Sequence, residues 1–197
     1  MIESFPPVVG SNPAVLILGS MPGVRSLAEE QYYAHPRNRF WPVLHELIQV
    51  DPEASYRERV ECMTASGVAL WDVLKHCRRE GSLDSSIVKT SEDANDVAGF
   101  LDRHPSIRAV ALNGRKAAEV FRRRISVLAS AERGKGPVVL DLPSTSPANA
   151  RLKLPALVRE WEAIKPFLPD HRFLDRSPES KPGSEGVTRR TGIAPEL

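Results

Sequence analysis

Cysteine is nearly absent: Cys62 and Cys77 are the only two in 197 residues. That excludes a disulfide framework, and an iron–sulfur cluster or zinc site held by four thiolates of one chain. The two read as reduced, partly buried thiols. Apolar runs of membrane-spanning length are lacking. The opening Met1-Ile2-Glu3-Ser4-Phe5-Pro6-Pro7 has neither a positive stretch nor an apolar one, so the expectation is a soluble cytoplasmic chain. His35, His45, His76, His104 and His171 fall at no metal-ligand spacing, and no metal or cofactor is expected. A Gly-x-Ser-x-Gly elbow is missing, which weakens a serine-hydrolase reading. An excess of one charge is also missing. The net charge of +2 permits nucleic-acid binding without arguing for it.

What the chain does have is an ordinary globular balance, with 41% apolar and 26% charged residues, enough for one domain with a real core. Residues 1–13 read as an extended, proline-containing lead-in. Ala14 to Gly19 is a continuous apolar run ending in glycine, the pattern of a strand buried on both faces of a parallel sheet. A polar loop follows from Ser20 to Arg39, then a helix from Phe40 to Val50 with apolar positions at Val43, Leu44, Leu47 and Ile48. Helices are expected at Tyr56–Ser66, Asp93–His104, Arg115 to about Ser126, and Leu154–Phe167. Strands are expected at Gly67–Trp71, Ile107–Leu112 and Val138–Leu142. Strands alternating with helices imply crossover connections. The expected fold is α/β, a three-layer α/β/α sandwich around a four-stranded, mainly parallel sheet. The domain spans residues 14–168. Residues 169–197, rich in charge, Pro, Gly and Ser, read as a disordered tail.

In an open parallel sheet ligands bind beyond the carboxyl ends of the strands. The unusual sequence sits in those loops. The first holds Gly19-Ser20-Met21-Pro22-Gly23 and Tyr32-Tyr33-Ala34-His35-Pro36-Arg37-Asn38-Arg39-Phe40-Trp41; the fourth holds Leu142-Pro143-Ser144-Thr145-Ser146-Pro147-Ala148-Asn149-Ala150. Gly19 and Gly23 allow close approach of backbone to a ligand, and Pro22 stiffens the turn. Backbone N–H groups there suit an anion or a base carbonyl. Flat rings beside such a loop are what a pocket for an extruded base requires.

Ala34 to Trp41 resembles the motif of the mismatch-specific uracil/thymine-DNA glycosylases. The Gly-Ser-Met-Pro-Gly loop, the Tyr-Tyr pair, the stretch Gly67 to Leu83 and Leu-Pro-Ser-Thr-Ser-Pro-Ala-Asn are similar to the hypoxanthine-DNA glycosylase branch (family 6) of the same uracil-DNA glycosylase superfamily. The resemblance covers about residues 14–165 and implies a uracil-DNA glycosylase-like fold. It also implies a monofunctional enzyme that hydrolyses the N-glycosidic bond of a base flipped out of double-stranded DNA. Two usual catalytic positions depart from the superfamily pattern. Met21 stands where an Asp or Asn handles the attacking water, and Leu142 where a His or Asn opens the last motif. Both departures are shared by the hypoxanthine branch, and the resemblance places the catalytic role on Asn38. It places base contacts on Gly19, Ser20, Met21, Tyr33 and Asp72, with Tyr33 stacking on the base. Ser144, Ser146, Asn149 and His35 fall to DNA contact.

The same residues carry plainer readings. Asn38 suits a cap on the helix beginning at Phe40, and Asp72 suits a helix N-cap. Phe40 and Trp41 suit the core wall. The basic stretch Arg115, Lys116, Arg122, Arg123, Arg124 reads by default as a solvated face. No lysine falls in the three motifs, which argues against Schiff-base lyase chemistry. Uracil as substrate, a damaged-DNA-binding module without catalysis, and a hydrolase of free nucleosides remain as alternatives. A monomer is expected.

Overall fold

Three apolar runs become strands whose residues are all buried. A computed structural model describes residues 1–124 and 136–169. It places β2 at Val15–Gly19, β3 at Val68–Asp72 and β6 at Ala109–Asn113, each buried throughout. With β7 at Val138–Leu142 they form one four-stranded sheet, all parallel, in the order β3-β2-β6-β7. β7 is one edge strand, and its Val138 and Val139 are exposed.

Strand side chains alternate between faces, and the two halves of each run feed two cores. Leu16, Leu18, Ala69, Trp71, Val110 and Leu112 pack against Phe100 and Leu101 of α4 (Val97–Arg103) and against Val120 and Phe121 of α5 (Arg115–Arg124). Val15, Ile17, Val68, Leu70, Ala109 and Ala111 face the other way. They pack against Phe40, Val43 and Leu44 of α2 (Phe40–Ile48), Met63 of α3 (Tyr56–Ala65), and Leu157 and Trp161 of α6 (Leu154–Trp161). The three-layer sandwich expected from the alternation is therefore the observed architecture.

Several element boundaries differ from the sequence expectation. The loop after β2 contains a six-residue helix, α1 (Val24–Glu29), too short to show an apolar period. The expected helix from Asp93 starts only at Val97, because the Asp96 side chain accepts from the Gly99 N–H and caps it there. The last helix turns to a 3-10 helix at Glu162–Phe167, a stretch containing Pro166, which cannot donate a backbone hydrogen bond. The lead-in is extended, as expected, but it belongs to the fold. Its β1 (Ile2–Glu3) pairs antiparallel with β4 (Leu74–Cys77), and β4 pairs with β5 (Asp93–Ala94). Val8 exchanges two hydrogen bonds of 2.8 Å with Leu70, covering the free edge of β3. The expected tail falls outside the described residues, apart from Pro169.

The basic stretch on α5 is only partly a solvated face. Glu92, just before β5, has a fully enclosed side chain that receives Lys116 Nζ at 2.6 Å and the Arg123 guanidinium. Arg122 reaches Asp141 on β7. Three of the five basic residues are thus spent tying α5 to its neighbours. Glu92→Ala removes the enclosed anion of this cluster and leaves Lys116 and Arg123 only the more exposed Glu119. The expected outcome is a loss of about 3 kcal/mol in urea-unfolding free energy, whereas an exposed pair such as Arg57–Glu61 costs under about 1 kcal/mol.

Candidate functional site

The register of the sheet sets its carboxyl ends level. Gly19 pairs with Asp72, Asn113 pairs with Leu142, and Leu18 pairs with Leu112, so Asn113 lies beside Gly19. All four strand-end loops therefore open at one rim. Two glycines let them close. A Cβ on Gly19 would sit 2.4 Å from Asp72 Oδ1 and 3.1 Å from Tyr33 Oη. A Cβ on Gly114, whose φ is +96°, would sit 2.8 Å from Ser144 Cβ.

A hydrogen-bond relay joins the first loop to the fourth. Asn113 Nδ2 donates to Tyr33 Oη at 2.9 Å and to Thr145 Oγ1 at 3.1 Å, and Asn113 Oδ1 accepts from the Thr145 N–H at 3.0 Å. The Arg39 N–H then donates to the Thr145 carbonyl at 3.0 Å. The Arg39 guanidinium reaches the carbonyls of Asn149 at 2.7 Å, Ser146 at 3.3 Å and Leu152. Arg39 is therefore a clamp between the turn that carries Asn38 and the whole last loop. Tyr33 lies face to face on Phe40, ring centroids 3.9 Å apart and planes 18° apart. Its backbone is left-handed, φ +56°, a conformation a tyrosine holds only when its surroundings impose it. Burial, followed by the negative charge of Asp72, raises its phenol pKa, so the ring stays neutral. Phe40, fully buried, is core wall as expected.

Asn38 serves the start of α2 as the plainer reading foresaw, though the N-cap itself is Arg39. Its Oδ1 accepts from the Phe40 N–H at 3.0 Å, an Asx turn. An amide oxygen has two lone pairs and the amide nitrogen two protons, so this bond leaves further hydrogen-bonding capacity. Ser20 Oγ donates to Asp84 Oδ1 at 2.6 Å. The Met21 side chain turns into the core, and Arg79 holds the Met21 and Pro22 carbonyls from behind. His35 Nδ1 accepts from the Arg37 N–H. In the last loop Ser144 Oγ and Ser146 Oγ accept from backbone N–H groups of Ser146 and Ala148, and Asn149 Nδ2 donates to the Ser144 carbonyl. These three side chains shape their own loop. Among the described residues, no group of three or more His, Cys, Asp or Glu is placed to hold a metal, and no helix is long and apolar enough to cross a membrane.

Asp72 differs most from its plainer reading. β4, not a helix, follows it, so it caps nothing. It is 4% exposed, and its Oδ2 has no hydrogen-bond partner among the described residues. Burial pushes its carboxyl pKa up to about 8; the negative charge of Asp84 adds to this and the positive charge of Arg79 opposes it. Asn113, Thr145, Arg39 and Arg79 were not singled out from sequence. Asn113 closes an apolar strand ahead of a glycine, a position where a side chain faces the site, and that was the available signal.

Comparison with known proteins identifies the family. A family model described as the uracil DNA glycosylase superfamily matches residues 6–165. A protein of Methanosarcina acetivorans named hypoxanthine DNA glycosylase is 36% identical over 163 residues, covering 82% of this chain and 96% of that protein. A namesake from Methanosarcina barkeri is 39% identical over 118 residues, 59% of this chain and 73% of that one. The solution NMR structure of a candidate uracil DNA glycosylase of Methanosarcina acetivorans superposes with a TM-score of 0.67 at 33% identity, covering 83% of this chain and 95% of that one.

An unfolded chain gives up the Asp72 proton near the ordinary carboxylate value, whereas the folded chain keeps it up to about pH 8. Between those values the native state binds more protons, so this group makes stability fall as pH rises. Asp72→Asn is expected to melt higher than the wild type by about 5 °C or more at pH 9, with the gap shrinking toward pH 4. Calorimetry across pH checks this. A gap of the same size at both ends would mean that the proton is not held.

Proposed function

Because this chain belongs to the uracil DNA glycosylase superfamily, we propose that it is a monofunctional DNA glycosylase of base-excision repair that releases hypoxanthine from deoxyinosine. The observation that supports this reading most is the co-occurrence of Met21 and Asn38 in their loops with 36% identity, over nearly its whole length, to a protein named hypoxanthine DNA glycosylase. Met21 can neither orient nor deprotonate water, and Asn38 stands on the turn that Arg39 clamps to the last loop.

Duplex DNA hides its glycosidic bonds, so the target nucleotide is turned out of the stack. Tyr33, backed by Phe40, offers a flat and already fixed ring for the extruded base, worth about 1–3 kcal/mol of stacking. Backbone N–H groups at Gly19, Ser20 and Met21 face the base, and Asp72 lies at the floor. Ser144, Ser146, Asn149 and His35 take the flanking phosphates and the gap in the helix.

Hydrolysis then needs a positioned water more than a strong base. The C1′–N9 bond breaks, its electron pair passes to the purine, and the sugar becomes oxocarbenium-like. Water held by the Asn38 amide adds its oxygen to C1′ and gives up a proton. The purine takes up a proton, leaving an abasic site. The protein acts as a monomer on one extruded base.

Asn38→Ser separates the two roles of this side chain, because a serine hydroxyl can keep the turn to Phe40 but cannot replace the amide. The variant is expected to melt within about 3 °C of the wild type. Its single-turnover cleavage of an end-labelled duplex carrying one deoxyinosine, read after alkali, should fall by about a hundredfold or more. Unchanged cleavage would return Asn38 to a purely local role. Cleavage by the wild type confined to uracil-containing duplexes would move the substrate from the purine to the pyrimidine.

A further inference from the structure

The floor of the site holds a carboxyl group in the place least suited to a charge. Asp72 is enclosed at the end of β3, its Oδ1 in the space that a Cβ on Gly19 would take and its Oδ2 without a partner among the described residues. The groups around it do not supply a compensating cation. From the loop before α2 come two neutral phenols, Tyr32 and Tyr33, each held neutral by burial. From the turn at residues 84–86 comes the negative charge of Asp84. Arg79, the one opposing charge among the described groups that act on it, has its guanidinium committed to the carbonyls of Gly81, Met21 and Pro22. A buried polar atom left unsatisfied in a native site calls for a ligand or a function.

We propose that Asp72 recognises the extruded base as an un-ionised carboxylic acid, its O–H donating to a ring carbonyl and its C=O accepting the adjacent ring N–H. The inference rests on the base-excision reading above and names the recognition chemistry of that same site. Deamination converts the amidine edge of adenine, or the corresponding edge of cytosine, into a lactam, –NH–C(=O)–. A carboxylic acid carries a donor beside an acceptor and meets that edge with two hydrogen bonds. A carboxylate offers only acceptors and sets its charge against the base carbonyl. The acid therefore does here what a side-chain amide would do. Its capacity to hold the proton to about pH 8 agrees with the geometry. Recognition by an acid also has an upper pH limit, which recognition by an amide lacks.

The test measures single-turnover cleavage of the deoxyinosine duplex from pH 6.5 to 10 by the wild type, Asp72→Asn and Asp72→Ala. Above the titration of Asp72 the wild-type rate is expected to fall about tenfold per pH unit. The Asn variant is expected to recover at least about tenfold of what the Ala variant loses at pH 7, and to show no matching decline. Ionisation of the base itself would appear equally in the Asn variant and is thereby separated. A wild-type rate that stays level above pH 8, or a folded Asn variant as slow as the Ala variant, would overturn the proposal. The carboxyl 13C resonance of Asp72, assigned by its absence in Asp72→Asn, gives a reading independent of turnover. A midpoint near 8 supports the acid and a midpoint near 4 refutes it. If the wild type cleaves no deoxyinosine strand at any pH, the substrate reading fails, and this resonance still decides the state of Asp72.

Discussion

One carboxamide holds the site together. Asn113 ends a wholly buried strand, and its amide is spent in both senses, donating to Tyr33 Oη and Thr145 Oγ1 and accepting from the Thr145 backbone. The stacking ring, the last loop and, through Thr145 and Arg39, the turn bearing Asn38 are all referred to that point. The arrangement depends on the parallel register, since a slip of one residue would turn Asn113 to the opposite face and into an apolar core. Two packed faces and a shared rim are therefore a single constraint. The alternation that buries Leu112 on one side and Ala111 on the other also aims Asn113 at the site.

Sequence made the centre of the sheet legible because burial on both faces leaves an unbroken apolar run, and β2, β3 and β6 each show one up to the last residue, whereas the exposed edge strand β7 is read from its β-branched start, Val138-Val139. The small sheet was illegible for the opposite reason. Strands of two residues, such as Ile2–Glu3 and Asp93–Ala94, have no period to read, and their pairing is decided by Cys77 and His76 far along the chain. Tyr33 and the two loops could be found by motif. Arg39 looked like part of the same motif, and only the fold shows its guanidinium among carbonyls more than a hundred positions away. Lys116 and Arg123 read as surface charges because their partner, Glu92, lies on a different element. The same limit applies to Asp72: its identity can be read from sequence, but its protonation depends on what encloses it.

That enclosure works against stability. A well-packed apolar side chain or an amide at position 72 would spare the fold a carboxyl group with an unbonded oxygen. Sites that break a local rule in this way are where function and folding ask for different residues. Glu92 shows the contrasting solution in the same molecule, a carboxylate equally enclosed but supplied with two cations. One buried acid is compensated and structural; the other has a buried oxygen with no hydrogen-bond partner among the described residues.

The Tyr33–Phe40 stack bears on where discrimination between correct and damaged DNA takes place. The ring is seated on Phe40, its hydroxyl is bonded to Asn113 and its backbone is held in the left-handed region. On the proposed reading, a ring held this firmly gains little from closing around one base rather than another, because little conformational work remains to be withheld from the wrong one. Sorting then moves outward to the double helix itself. A pair weakened by deamination opens more cheaply than a sound one, so under the proposed function the energetics of the DNA contribute the first selection, ahead of the contacts at the site.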